Sequence, residues 1–362
     1  MFENDKTIFT YLKPSDNDMI SSLNKRDIED LLLYLNKYYL EYRDTIGVDS
    51  FDTFGIEIEV EHFNKWGKVD FFTVNQEVND IVGNKKWDVR NDISLVKGAE
   101  FVSEILTDNV LDWQKVRRVC DFSSLIGKVD VDCAAHIHVG SQVLGENTLH
   151  WYHFFKLWSI YENVIYRFCY GEYLNCRPGI MTYARPAASF YDSKLEELES
   201  KLNDRVIDMI KVVEPISILD RFMKKYGVSY WRMLHDNDYQ EYEDFNKIIN
   251  GCSFELRVPN GTVDEVIWQN NINFFLKMIK YCKSNSFNDD ILDKRRVLVR
   301  NIYSSLSAYS LIYLDQAIEL CDLIFDNNLD KLCFLRQYLK SLQVTDNAFV
   351  KARKFTCTSI KR

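Results

Sequence analysis

A chain of 362 residues with 46 % apolar and 27 % charged side chains, including Phe 23 and Tyr 21, has ample material for a core and lacks the composition of a disordered segment. Its formal charge of −9 disfavours wholesale binding to nucleic-acid backbone, which needs a basic footprint, yet it permits a polyphosphate held through divalent cations. The opening MFENDKTIFTYLKPSDND has no apolar signal core. No run approaches the roughly 18 apolar residues of a membrane span. The expected location is therefore the cytoplasm, of the parent cell or of a host, with no membrane partner. Nine cysteines without any CxxC spacing read as buried thiols in a reducing compartment, not as a zinc site or a disulfide framework.

In chain order, polar residues followed by apolar ones at spacings of three and four predict an amphipathic helix over 24–43. From Phe54 the period changes to two: Ile56, Ile58 and Val60 alternate with Glu57, Glu59 and Glu61, as in a strand with one apolar and one polar face. Residues 87–106 contain two short strand-like pieces separated near Lys97-Gly98, and 134–141 alternate again. The aromatic stretch from Asn147 through Tyr170 predicts a substantially buried helix. Residues 176–186 read as a loop by Pro and Gly content, and 192–225 as one or two helices. SFELRVPNGT at 253–262 predicts a strand ending in a turn, and 263–284 a helix. The pattern over 290–343, which contains neither Pro nor Gly, is helical almost throughout. The end of the chain, from Val350, is basic and is read as a solvated tail or a contact for a polyanion.

Where the ionisable residues fall is more informative. Glu57 and Glu59 leave the same face of one strand, about 6–7 Å apart. Solvated glutamates on an edge strand give that pattern too. In a cleft, however, like charges about 4 Å apart repel by roughly 4 kcal/mol at an effective dielectric of 20, and a hard cation turns the repulsion into attraction. His136 and His138 repeat the geometry between the small residues Ala134, Ala135 and Gly140. They suit metal or phosphate contact, including zinc with a third ligand. Glu255 and Arg257 form a third same-face pair, either a mutual salt bridge or a metal carboxylate beside a guanidinium for a phosphoryl group. Asp92 and Glu100 complete the acidic set. A sheet covered on one side and open on the other gathers these pairs into one acidic bowl. No GxxxxGK[ST], GxGxxG or GxSxG is present, so phosphate handling falls to metals and arginines.

FGIEIEVE (54–61), NDISLVKGAEFVS (91–103), CAAHIHVG (133–140) and SFELRVPNGT (253–262) resemble, in order, the signature blocks of the amidoligase family, in the carboxylate–amine ligase group with glutamine synthetase and glutamate–cysteine ligase. The resemblance spans about residues 51–275. It implies an α+β fold: a glutamine-synthetase-like catalytic domain whose curved antiparallel sheet holds ATP and Mg2+ (or Mn2+) on its concave face, with helices on the convex side and a C-terminal helical region. The implied divisions are an N-terminal helical segment (1–50), the catalytic domain (51–285), a helical extension (286–345) and a basic tail (346–362). By resemblance Glu57, Glu59, Glu100, His138 and Glu255 are metal ligands. His136, His138, Arg185, Arg232 and Arg257 are nucleotide or phosphate contacts. Arg257, Asp92 and Glu255 are catalytic, with Asp92 binding metal or the incoming amine. Two departures, Ala134 where the family commonly has Gly and Glu104 where it often has Pro, leave the loop shape and the substrate open.

The implied activity is ATP- and Mg-dependent amide or isopeptide formation between a small-molecule, peptide or protein carboxylate and an amine, through an acyl phosphate. A phosphotransferase or metal-dependent hydrolase on the same scaffold, and a non-catalytic interaction protein using the C-terminal helices, stand as alternatives. Oligomerisation is open, because glutamine-synthetase-like rings place sites between subunits while close relatives act as monomers.

Overall fold

The computed structural model describes residues 41–339 other than 63–69, 84–85, 93, 131, 172, 174–175, 214–226, 233–251, 300–308 and 310. The expected helix over 24–43 lies outside these residues except at 41–43, which are not helical. There the Gln269 amide takes up the Arg43 backbone, accepting from its N–H at 2.9 Å and donating to its carbonyl at 2.5 Å. The tail from Val350 and residues 214–225 also lie outside.

The fold is α+β, built on a six-stranded sheet in the order β2-β3-β1-β4-β6-β5. The strands are β1 (Phe54–Val60), β2 (Asp88–Arg90), β3 (Ala99–Val102), β4 (Ala135–Gly140), β5 (Val228–Arg232) and β6 (Cys252–Leu256). Every neighbouring pair is antiparallel. β1 stops where His62 takes the left-handed φ of 56°, which its backbone cannot continue as strand. β3 can run beside β1 only because Gly98 precedes it: a Cβ there would lie 2.2 Å from the Val60 carbonyl oxygen. β5 has no counterpart among the sequence expectations.

The helices are α1 (Phe71–Val82), α2 (Val110–Ile126), α3 (Thr148–Cys169), α4 (Ile180–Tyr183), α5 (Ala188–Glu199), α6 (Val206–Val213), α7 (Glu265–Tyr281), α8 (Asp289–Val299), α9 (Leu314–Ile324) and α10 (Asn328–Leu339). α4 is a single turn inside the expected loop, and α8–α10 form the C-terminal helical region, interrupted by non-helical residues 311–313. α1 and α2 were not anticipated, although both are locally encoded. Asp70 caps α1 through Phe72 N–H, Gly83 closes it at φ 76°, and Val74, Val78 and Val82 form its buried stripe. Asn109 caps α2 through the Asp112 N–H at 3.0 Å.

The apolar rows of the sheet face α2 and α3. Phe54 stacks on Trp113 at 5.1 Å between centroids, and Phe254 meets Trp151 at 5.0 Å and Phe154 at 4.7 Å. Burying each such side chain stabilises the fold by about 2–3 kcal/mol. Seven described cysteines are free thiols, six of them buried. No described helix is long and apolar enough to cross a membrane.

Inside α3 sits a wholly buried carboxylate. Glu162 accepts from Trp158 Nε1 at 2.8 Å, the N–H groups of Ala187 and Ala188 at 2.6 and 3.0 Å, and Tyr309 OH at 2.7 Å. Burial still pushes its pKa upward. It caps the start of α5 from a neighbouring helix, satisfying N–H groups that have no intrahelical partner. Glu162→Ala is expected to lower stability by about 3 kcal/mol, read by urea unfolding, because it orphans several buried donors together. Glu162→Gln, which keeps an acceptor oxygen, should lose less.

Candidate active site

Sheet register carries the ionisable residues to one face. Glu57 pairs with His136 across β1 and β4, Glu59 with Glu100 across β1 and β3, and His138 with Glu255 across β4 and β6. Directly paired residues share a face, so all six point away from the apolar rows that meet α2 and α3. β1 and β4 are the two central strands, which places the densest part of the cluster mid-sheet.

Glu57 is the hub. Its Oε2 lies 2.7 Å from His136 Nδ1 and its Oε1 3.0 Å from His138 Nε2. His136, 3 % exposed, also has Glu59 at 3.6 Å, Glu100 at 3.8 Å and Glu255 at 3.9 Å. Ala134 N–H donates to the second oxygen of Glu59. Ser253 Oγ stands 3.0 Å from His138 Nδ1 and so helps fix that ring. Arg257 donates to Glu255 through Nη1 and to the Tyr183 carbonyl through Nε at 2.9 Å.

These contacts set the charges. Burial pulls the Glu57 carboxyl upward, but hydrogen bonds from His136 and His138 win and hold it well below the usual range. Burial and then the Glu57 charge push Glu100 up to about 9. Burial opposes the charged form of His138, yet the Glu57 contact leaves its pKa raised.

Asp92 lies in the turn after β2, its Oδ1 accepting from Ser94 N–H at 2.7 Å and Ser94 Oγ at 2.6 Å. It lines a cavity of about 280 Å³ with Glu59, Asp132, His136, Tyr183, Arg177 and Arg257. Arg185 is not among those lining residues; its carbonyl accepts from Gly227 N–H at 2.8 Å. Arg232 ends the edge strand β5 opposite Cys252, in the register of the Phe254 and Leu256 row. Its side chain lies outside the described residues.

Three overlapping ligand sets bring donor atoms within 4.8 Å of one another: Glu57, His138 and Glu255; Glu57, Glu100 and His136; Glu59, Asp92 and Glu100. Carboxylate oxygens with imidazole nitrogens suit hard divalent cations, and the sharing of Glu57 and Glu100 among sets suits more than one ion. A further group, Glu61, His62 and Asp130, sits beyond the end of β1. There His62 Nε2 is 3.6 Å from each carboxylate, and Lys128 pairs with Asp130 at 2.6 Å.

Sequence reasoning missed Ser253, Asp132 and Arg177. Ser253 was within reach of the period-two rule, standing two residues before Glu255. The same rule reaches Asp88 and Arg90 on β2, where Arg90 pairs with Glu100 in register. Arg177, in a Pro-Gly loop, had no periodic signal.

A family model described as "Putative amidoligase enzyme" matches residues 72–279, more than half of the chain. The matched segment begins after β1, so Glu57 and Glu59 reach the cluster through sheet pairing with it. No curated protein matches the chain.

Proposed function

Since the chain belongs to the amidoligase family, we propose that it joins a carboxylate to an amine with ATP as the activating substrate, forming an amide or isopeptide bond through an acyl phosphate. The observation that supports this most directly is the Glu57-centred cluster of carboxylates and imidazoles on one open sheet face. A glutamine-synthetase-like curvature of that sheet, and a catalytic unit over 51–285 followed by a helical extension, belong to the same proposal.

In this reading Glu57, Glu59, Glu100, His138 and Glu255 hold Mg2+ or Mn2+. Such cations orient a polyphosphate and offset charge that develops during phosphoryl transfer. A substrate carboxylate oxygen attacks the γ-phosphorus; the new O–P bond forms as the bond to ADP breaks. Arg257 neutralises the phosphoryl oxygens, assisted by His136 and His138, with Arg185 and Arg232 as outer phosphate or carboxylate contacts. The amine nitrogen then attacks the acyl carbon and phosphate leaves. The proton released from the ammonium passes to an acidic group at the cavity mouth, for which Asp92 is placed beside Glu59. Activation is needed because a free carboxylate is a poor electrophile at neutral pH.

Incubating the full chain with ATP, magnesium and panels of acids and amines should release phosphate in proportion to new amide. ADP with a stable phosphorylated acid and no amide would instead indicate a phosphotransferase. Cleavage activity without ATP would indicate a hydrolase.

A further inference from the structure

The cavity holds a cation to which the scheme above gives no task. Arg177 is only 1 % exposed, yet it lines the cavity beside Glu59, His136 and Arg257. Its Nη1 donates to the carbonyls of Pro259 at 2.8 Å and Val258 at 3.3 Å, and its Nη2 to that of Arg257 at 2.8 Å. None of these partners carries a charge. Among the described residues no carboxylate forms an ion pair with the guanidinium, and burial drives its pKa downward. The nearest acid in the cavity, Glu59, is already engaged by Ala134 N–H and His136.

A guanidinium has five N–H donors in a rigid fork that matches carboxylate and phosphate oxygens. Here the bonds to Val258, Pro259 and Arg257 leave Nε without a described protein acceptor. A buried charge without a counter-ion is costly, and backbone dipoles offset only part of that cost. Arg257 brings a second guanidinium to the same cavity. Two cations lining one small space repel unless an anion lies between them.

We propose that Arg177 is an anion-binding residue and that, with Arg257, it grips one oxyanion inside this cavity. The oxyanion is a phosphoryl group or the carboxylate of the acid substrate, both of which present coplanar oxygens to a guanidinium fork. The assignment deepens the ligase reading and rests on it only for which of these two groups arrives.

The test is calorimetric titration of the magnesium-loaded full chain with inorganic phosphate and, separately, with acetate. Wild type, Arg177→Lys and Arg177→Met are compared, with folding checked by circular dichroism. Arg177→Met should weaken binding of at least one anion about tenfold or more, and Arg177→Lys, which keeps the charge but not the fork, by several-fold. An effect confined to phosphate identifies the phosphoryl group; one confined to acetate identifies the acid substrate. A folded Arg177→Met protein that binds both anions like wild type would reduce Arg177 to a strut for residues 257–259. If Arg177→Met does not fold, unchanged affinity in Arg177→Lys overturns the proposal equally, as does a wild type that binds neither anion. No turnover is involved, so failure to find an amide product leaves this result standing.

Discussion

Exchanging Glu57 for glutamine is expected to remove both metal-dependent activity and a substantial part of the stability of the metal-free protein. The carboxylate contacts His136 at 2.7 Å and His138 at 3.0 Å and belongs to two of the candidate ligand sets. The amide keeps the shape and loses the charge. Breaking a mostly buried ionic contact from one side costs about 3 kcal/mol. ATP-dependent phosphate release should fall by about 10²–10³, a range typical for removing one preorganised electrostatic group. The two losses separate by assay: urea unfolding of the metal-free variant reports the first, and phosphate release in saturating magnesium the second. Wild-type turnover in Glu57→Gln would exclude the cluster as the reaction centre.

Glu100 behaves in the opposite way. Its pKa is raised from its ordinary value of 4.5 to about 9, by burial first and then by the Glu57 charge. At neutral pH and without metal the folded protein therefore holds this group protonated, whereas the unfolded chain does not. Between about pH 4.5 and 9 folding takes up a proton, so stability falls as pH rises, by up to about 1.4 kcal/mol per pH unit for one proton. His138 adds to the same trend: its raised pKa makes its contribution complete below 6.5 and lost as pH climbs through its folded value. Glu57, held low, contributes fully above 4.5 and loses stability only as the solution turns strongly acidic.

Magnesium reverses this slope. A cation that uses Glu100 must displace its proton, so apparent affinity should rise by up to about tenfold per pH unit below 9. Thermal unfolding from pH 5.5 to 9, with and without magnesium, should show the two curves diverging upward. Glu100→Gln is close to isosteric with the protonated acid. Its metal-free stability at pH 7 should stay within about 1 kcal/mol of wild type, while its stabilisation by magnesium largely disappears. A flat metal-free curve in the wild type would place Glu100 in a far wetter setting than its contacts imply.

How much of this was legible beforehand depends on the range of the interaction. Alternation around Glu57 and Glu59, His136 and His138, and Glu255 and Arg257 is local, and a strand's period of two fixes which side chains share a face. That gave the polar face and most of the candidate ligands directly. Which strand lies beside which is not local: β1 sits between β3 and β4, and nothing at residues 54–60 encodes those neighbours. The unanticipated α1 and α2 carried legible caps at Asp70 and Asn109, but their weak apolar stripes were read as connection. β5 was obscured because aromatic residues at 228–232 sit next to charged, helix-compatible sequence. Arg177 could not be found this way, since its significance comes from enclosure by residues 257–260, about 80 positions further along.

The strand order also governs how the protein can be made. His136 meets Glu57 across 79 positions and His138 meets Ser253 across 115, so most of the chemistry depends on contacts of high sequence separation, which form slowly. While a ribosome is still short of Cys252–Leu256, β4 can have only β1 beside it. Its other edge, bearing Ile137 and Val139, offers unpaired backbone groups to any passing strand. Newly made chains should therefore be most prone to aggregate in the interval between the emergence of β4 and that of β6, and holding synthesis within that window should expose the hazard.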